Sequence, residues 1–308
     1  MHASAACSEQ EDEDDAHADQ QLGQRVAAAR SIHIQRSVTS SSDAAATKQH
    51  QGKAGTDLRL LHHHSIPSGG QVKTEPRPTH AVLQKRRSTS RESESLDKFF
   101  NGPTIDVAKR LIGATLYRRV REPGAKKAKL LTARIVETEA YLPLIDPSCH
   151  AYRGPTARTS TLFGRPGFAY VYLIYGMHYC LNVTTEPPGI GAAVLIRSAE
   201  PLAAIEAMQG RRGEHVPIAA LASGPGNLCR AMSIGLECDG ANFRQGDLII
   251  TPASQAEEEQ CKQHLGVSAR IGLNVAERWP LRFYDARSAS ISPFRKSSLR
   301  AVKRTRNR

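Results

Sequence analysis

No aromatic residue occurs before Phe99, and that fact confines any packed core to the part of the chain that follows. Large aromatic and aliphatic side chains supply most of the burial that offsets the entropy of ordering a chain. Residues 1–95 are instead rich in Ala, Ser, Gln, His and charge, with Ser40–Ser42, His62–His64 and a mixed Ser/Arg stretch at 86–95. Such a segment buries too little to fold, so 1–95 is expected to be a disordered N-terminal tail. From Leu96 the texture changes, and Leu96, Phe99, Phe100, Val107, Leu111 and Leu116 begin a packed unit expected to span 96–294. Charge divides at the same place. Residues 1–95 carry 12 Lys/Arg against 12 Asp/Glu, so the net charge of +12 belongs to the remainder. Arg295–Arg308 forms a basic C-terminal tail holding +7 with no acid. A basic folded region with a more basic tail suits a polyanionic partner, of which nucleic acid is the commonest. A solvated, solubilising surface is the alternative.

Six cysteines with no C-x-x-C pair support neither a disulfide scaffold nor a structural zinc site. His178 and Cys180 have a metal-like spacing without a matching second pair, so they read as core filling; His62–His64 receives no role. No metal and no cofactor is expected. No apolar stretch is long enough to span a bilayer. The acidic start, Glu9 to Asp15, lacks a signal peptide's apolar core. The expectation is an intracellular, monomeric protein, and Lys85-Arg86-Arg87 with the Lys303–Arg308 tail points to the nucleus.

A helical period runs through Ile105–Ile112. Leu130–Tyr141 alternates as a strand, and Ala169–Tyr175 and His178–Val183 read as two more joined at Gly176. Gly191–Ser198, Leu248–Thr251 and Leu281–Tyr284 are further strands, with helices at Ala203–Gln209 and Leu228–Ile234. The expected fold is α+β: a single mixed domain on a largely antiparallel sheet, with a protruding β-hairpin.

Six of the eight tyrosines fall between Tyr141 and Tyr179, in a chain with only 5% aromatics. Each buried hydroxyl needs a partner, so core packing explains only part of this; a surface that stacks bases uses aromatics at this density. On the strand Arg134-Ile-Val-Glu-Thr-Glu-Ala-Tyr141, Glu137, Glu139 and Tyr141 share one face. Val136, Thr138 and Ala140 share the other, toward the core. Either glutamate could be a surface charge or an arginine's partner. Held near an aromatic ring, one of them could act as a general base, since desolvation raises its pKa toward the working range. At the hairpin, Tyr175 and Met177 would sit at the tip, either packed on a neighbouring loop or available to wedge between base pairs.

R-I-V-E-T-E-A-Y at 134–141, His150, Y-V-Y-L-I-Y-G-M at 170–177 and C-L-N-V at 180–183 resemble the alkyladenine DNA glycosylase family. The likeness continues through 194–201, 223–231, 269–273 and 280–284, covering roughly 96–294 in one order. The resemblance implies a monofunctional enzyme that flips damaged purines out of double-stranded DNA and hydrolyses their N-glycosidic bond, handing an abasic site to downstream repair enzymes. It implies that Glu139 activates the water and Arg197 positions both. Tyr141 would stack on one face of the base, with His150 and Tyr172 on the other. The His150 backbone would donate to the base edge, and Asn182 would exclude the amino group of normal guanine. Tyr175, with Met177, would fill the gap in the duplex. Other readings stay open beside these: Arg197 as partner of Glu200, Ser223 as a helix cap, the 223–226 stretch as a phosphate cradle. Asn227 stands where relatives often carry a basic residue, and only Arg158 of the 156–159 run carries over. A lesion-binding protein without catalysis, or an enzyme acting on RNA or free nucleosides, are the competing functions.

Overall fold

A computed structural model describes residues 90–293, with side chains from residue 94. Residues 1–89 and 294–308, including both basic clusters and most of the expected N-terminal tail, lie outside the described residues. Helix α1 (Ser90–Phe100) opens inside the segment assigned to that tail and delivers Phe99 and Phe100 to the core. Helix α2 (Thr104–Arg110) follows Pro103, which cannot extend a helix backward but suits its start. Asp106 lies in its first turn and Lys109 and Arg110 in its last, matching the helix dipole, while Thr104, Val107 and Ala108 face inward.

Eight strands make one antiparallel sheet: β1 (Thr115–Val120), β2 (Lys129–Tyr141), β3 (Ala169–Ile174), β4 (His178–Thr184), β5 (Ala193–Ala203), β6 (Leu248–Thr251), β7 (Leu265–Ser268) and β8 (Arg282–Asp285). The order is β3-β4-β5-β2-β1-β6, with β8 also on β2 and β7 on β8. Helices α3 (Ile205–Arg212), α4 (Pro225–Ala231) and α5 (Gln255–Gln263) complete an α+β domain. The strands expected from alternation are present within a few residues. Strand β1, helix α5 and strand β7 were not anticipated, because β1 buries only Leu116, α5 only Cys261 and β7 no residue. Their sequences therefore carry no apolar period, and pairing or docking alone selects them. Strand β5 continues past Ser198 to Ala203, so α3 starts later than its sequence pattern suggests, after Ala204 breaks the chain at φ 57°.

Strand β2 positions the site. Its first half pairs with β1 through Arg134, and β8 takes over at Glu137–Glu139, while β5 runs along the other edge. The register with β5 slips on both sides of Glu137. Before the slip the core-facing residues are Leu131, Ala133 and Ile135; after it Ala140 joins the core and Thr138 donates to Ala108 O of α2 at 3.0 Å. One extra residue in a strand reverses which face each following side chain takes. Without that bulge Glu137 and Glu139 would continue the core-facing row. With it they leave the core for the opposite face, as the local alternation predicts.

On β2's outer half, Arg134 donates to Glu200 Oε2 at 2.6 Å with its Nη2, and to Glu257 and Asp285 at 2.7 Å each. Glu200 is thus Arg134's partner, which removes the reading that pairs it with Arg197. Glu257, Cys261 and Asp285 bring three potential metal-ligand atoms within 4.8 Å of one another. Arg134 and Arg287 already match both carboxylates, at 2.7 Å and 2.8 Å to Asp285, so a cation there would meet two guanidinium groups.

Candidate active site

The bulged segment of β2 and the facing β5 place two carboxylates and one guanidinium together. Ser198 pairs with Glu137 and Ile196 with Thr138, so Arg197 is the residue passed over by the ladder. A bulge re-aims its side chain, and here the guanidinium reaches both glutamates: Nε donates to Glu137 at 2.8 Å, and Nη1 lies 3.3 Å from Glu139.

The two glutamates are fully buried yet differ in company. Glu137 accepts from Arg197 Nε (2.8 Å), Arg282 Nε (2.7 Å), Ser198 Oγ (2.8 Å), Ser292 N (2.7 Å) and Ser292 Oγ (2.6 Å). Burial alone would raise its pKa, but Arg197, Arg282 and Ser292 together hold it below the ordinary carboxylate range. Among the described residues Glu139 accepts only Ile271 N–H at 2.8 Å and Tyr141 Oη–H at 3.0 Å, besides the looser contact with Arg197. Burial dominates there and raises its pKa, against the pull of Arg197, Ile271 and Tyr141. Two carboxylates two residues apart are thus driven in opposite directions, the arrangement that separates a structural anion from a proton acceptor. The strand pattern left both open and only the family resemblance singled out Glu139; the contacts distinguish the two.

Beside this pair lies a cavity of about 340 Å³. Tyr141, His150, Tyr172, Tyr175, Asn182 and Arg197 all line it, although they come from β2, the following loop, the hairpin and β5. Glu139 lies behind the wall that Tyr141, Arg197 and Ile271 form. The rings of His150 and Tyr172 pack 4.5 Å apart at 66°, and His150 Nδ1 is 3.0 Å from Tyr170 Oη. Burial, helped by Arg158, lowers the His150 pKa, so its imidazole is neutral at pH 7. Burial pushes Tyr170 up to about 12 and Tyr172 higher still, so both hydroxyls keep their protons. Asn182 is buried and donates its amide N–H to Tyr170 O at 3.0 Å. The two facing walls at Tyr141 and at His150–Tyr172 are therefore aromatic and neutral, suited to a flat heteroaromatic guest, with the Arg197 guanidinium beside them.

At the hairpin end Met177 N–H donates to Ile174 O at 3.2 Å, closing a turn in which Tyr175 has φ 53° and Gly176 φ 69°. Glycine takes this conformation freely; for tyrosine it costs about 1–2 kcal/mol. Tyr175 is 79% exposed and Met177 71%, so the tip does not pack on a neighbouring loop. His178, read from sequence as core filling, is exposed at the cavity's edge, where it stands so close to Gly226 that a Cβ there would meet its Cγ at 3.0 Å. Cys180 is buried as expected. Ser223 does not cap α4: Gly224 occupies the cap without a side-chain bond, and Ser223 Oγ donates to Ile291 O at 3.3 Å. The chain turns toward the C-terminal segment there, which the local motif does not encode.

Sequence reasoning assigned no role to Arg282, Ser292, Asp146, Arg270 or Ile271. Arg282, Ser292, Arg270 and Ile271 reach the site from distant parts of the chain, so no spacing could have signalled them, whereas Asp146 is local, only four residues beyond Leu142.

A family model described as methylpurine-DNA glycosylase matches residues 98–289. A protein of Methanocella arvoryzae is 43% identical over 198 residues, covering 63% of this chain and 93% of its own length. One of Methanoculleus marisnigri is 41% identical over 194 residues, covering 63% and 96%. One of Rubrobacter xylanophilus is 44% identical over 174 residues, covering 56% and 87%. All three are provisionally named as 3-methyladenine DNA glycosylases.

Proposed function

Because the chain belongs to the methylpurine-DNA glycosylase family, we propose that it acts as a 3-methyladenine DNA glycosylase. Its proposed substrates extend to 7-methylguanine, hypoxanthine and ethenoadenine. The observation that carries the reading is the opposed pair of glutamates. Glu139 alone combines a raised pKa with contact to Tyr141 and Arg197 on the cavity wall.

In the proposed reaction a damaged purine leaves the stack and enters the cavity between Tyr141 and the His150–Tyr172 pair. Glu139 takes a proton from water as its oxygen bonds to the anomeric carbon, and the N-glycosidic bond breaks with its electrons passing to the base. Arg197 steadies the carboxylate. A cationic alkylated purine departs as a neutral molecule, whereas hypoxanthine must gain a proton, so it depends more on acid–base help. Asn182, fixed by its bond to the Tyr170 carbonyl, would crowd the exocyclic amino group of normal guanine. Flipping is easiest for mispaired or damaged bases, which adds selectivity before the cavity is reached. The basic tail Arg295–Arg308 would strengthen contact with phosphates in a salt-dependent way.

The test is incubation with duplexes carrying one methylated purine, hypoxanthine or ethenoadenine, scored for abasic sites with borohydride present in parallel. No lysine lies between Lys129 and Lys262, the span that holds nearly all the cavity residues. Strand nicking would need an amine nucleophile, so an intact abasic strand and no trapped adduct are expected. Lesion binding without any base release would favour a damage-sensing protein.

Tyr175 gives a separate prediction. A strained, exposed aromatic at a hairpin tip has no local reward, which supports insertion into the vacated duplex position. Tyr175→Ser is expected to weaken flipping by about 1–3 kcal/mol, most in stable duplex contexts and least on single-stranded or mismatched hypoxanthine. Melting temperature should hold, because serine keeps the Cβ and with it the left-handed cost, and the exposed ring adds little to the core. A uniform rate loss with a marked fall in melting temperature would end the wedge reading.

A further inference from the structure

Arg270 and Asp146 form a fully buried ion pair, with Arg270 Nη1 2.5 Å from Asp146 Oδ2 and Nη2 donating to Oδ1 at 3.0 Å. Arg270 Nη1 also donates to Ala140 O at 2.9 Å, between Glu139 and Tyr141 on β2. Its guanidinium carbon lies 4.6 Å from the centroid of the Tyr141 ring. The next residue, Ile271, supplies the N–H that Glu139 accepts. Asp146 in turn accepts Leu142 N–H at 3.1 Å and Ser148 N–H at 3.0 Å, fixing the loop that carries His150.

A buried ion pair is a weak stabiliser, since desolvation offsets most of its attraction and an apolar pair often serves as well. This one is costlier than most, because Arg270 Nε is buried without a hydrogen-bond partner among the described residues. Every other contact it makes runs to the elements that carry Glu139, Tyr141 and His150. We infer that Arg270, clamped by Asp146, is a positioning residue that locks both aromatic walls of the cavity and holds the Ile271 N–H on Glu139. The inference rests on the glycosylase reading and goes beyond it, since the pair touches neither the cavity nor the reacting atoms. A planar fork is required: three bonds in two directions and one face against a ring fix the guanidinium completely, which an ammonium cannot reproduce.

The experiment is the pH profile of single-turnover excision of hypoxanthine, with melting temperature measured alongside, for Arg270→Lys and for the double variant Asp146→Asn/Arg270→Gln. The double variant leaves no unpaired buried charge and so guards against simple misfolding. Groups facing Glu139 are otherwise unchanged: Arg197 from β5, Glu137 and Tyr141 from its own strand, and Tyr172 and Cys180 from the hairpin. Loosening the Ile271 N–H removes a bond that favours the ionised carboxylate, so Glu139 should protonate at higher pH. Both variants should displace the acid limb upward by about one unit, a tenfold rate loss at any pH below it. Lysine should not rescue. An unshifted limb, with rate loss only in proportion to lost stability, would overturn the inference, as would rescue by lysine or failure of both variants to fold. An inactive wild type would instead sink the glycosylase reading beneath it.

Discussion

Glu139→Gln is expected to reduce base excision by several orders of magnitude while leaving affinity for lesion-containing duplex near that of the wild type. Loss of a general base removes roughly 10²–10⁴-fold in rate, and more where the water has no other activator. Glutamine keeps the shape and can still meet the Ile271 N–H and the Tyr141 hydroxyl that surround the carboxylate. The raised pKa of Glu139 fixes two further signs. Excision needs the ionised form, so the wild-type acid limb should lie above the ordinary carboxylate value of about 4.3. A carboxyl raised on folding contributes stability that is present below its unfolded pKa and lost as pH rises through the folded one. Above its folded pKa the ionised Glu139 therefore strains the fold, and there Glu139→Gln should melt higher than the wild type, with the difference vanishing as pH falls below that pKa. Single-turnover rates, duplex affinity and melting curves on one preparation check all three. Normal turnover by Glu139→Gln would remove Glu139 from the mechanism.

Replacing its neighbour should do the reverse. Glu137→Gln takes away the carboxylate that Arg282 Nε and Arg197 Nε both meet, at 2.7 Å and 2.8 Å, and leaves buried Arg282 without its acidic partner, whereas Glu139 touches Arg197 alone, at 3.3 Å. Breaking a buried, hydrogen-bonded ion network by removing one partner costs about 3–5 kcal/mol. For a domain of this size that corresponds to a melting temperature lower by roughly 10 °C. Glu137 is held below the ordinary carboxylate range, so its contribution is complete above the unfolded pKa and disappears as pH falls through the folded one. The gap between variant and wild type should therefore narrow in acid. Below the melting transition, excision should survive in Glu137→Gln far better than in Glu139→Gln. Equal losses of rate in the two variants would show that the carboxylates share the proton chemistry instead of dividing the roles.

Much of this site is local in sequence. Two glutamates and a tyrosine at alternate positions of one strand are expected on one face from strand geometry, and Tyr175 reaches the hairpin tip because Gly176 forces the turn there. His150, Tyr172, Asn182 and Arg197 were named through a family resemblance and not through spacing, and the fold brings all four to one cavity. Where the local pattern was silent, as in β1, α5 and β7, the residues are half-solvated and no burial period exists to read.

The amino-acid sequence by itself determined where a core can form, which of the strands with an apolar period exist, and that Glu137, Glu139 and Tyr141 share one face, because each follows from side-chain size and period over a few residues. The bulge in β2 decided that this face turns away from the core. The family resemblance named Glu139, but only the tertiary structure supplied the physical reason that it, and not Glu137, is poised to accept a proton. That choice depends on five donors converging on Glu137 from β5, β8 and Ser292, and on Glu139 being left with fewer. A carboxylate's pKa is set by the charges and dipoles within a few ångströms of it. Those groups lie as far as 155 residues away along the chain, where neither propensity nor periodicity can register them.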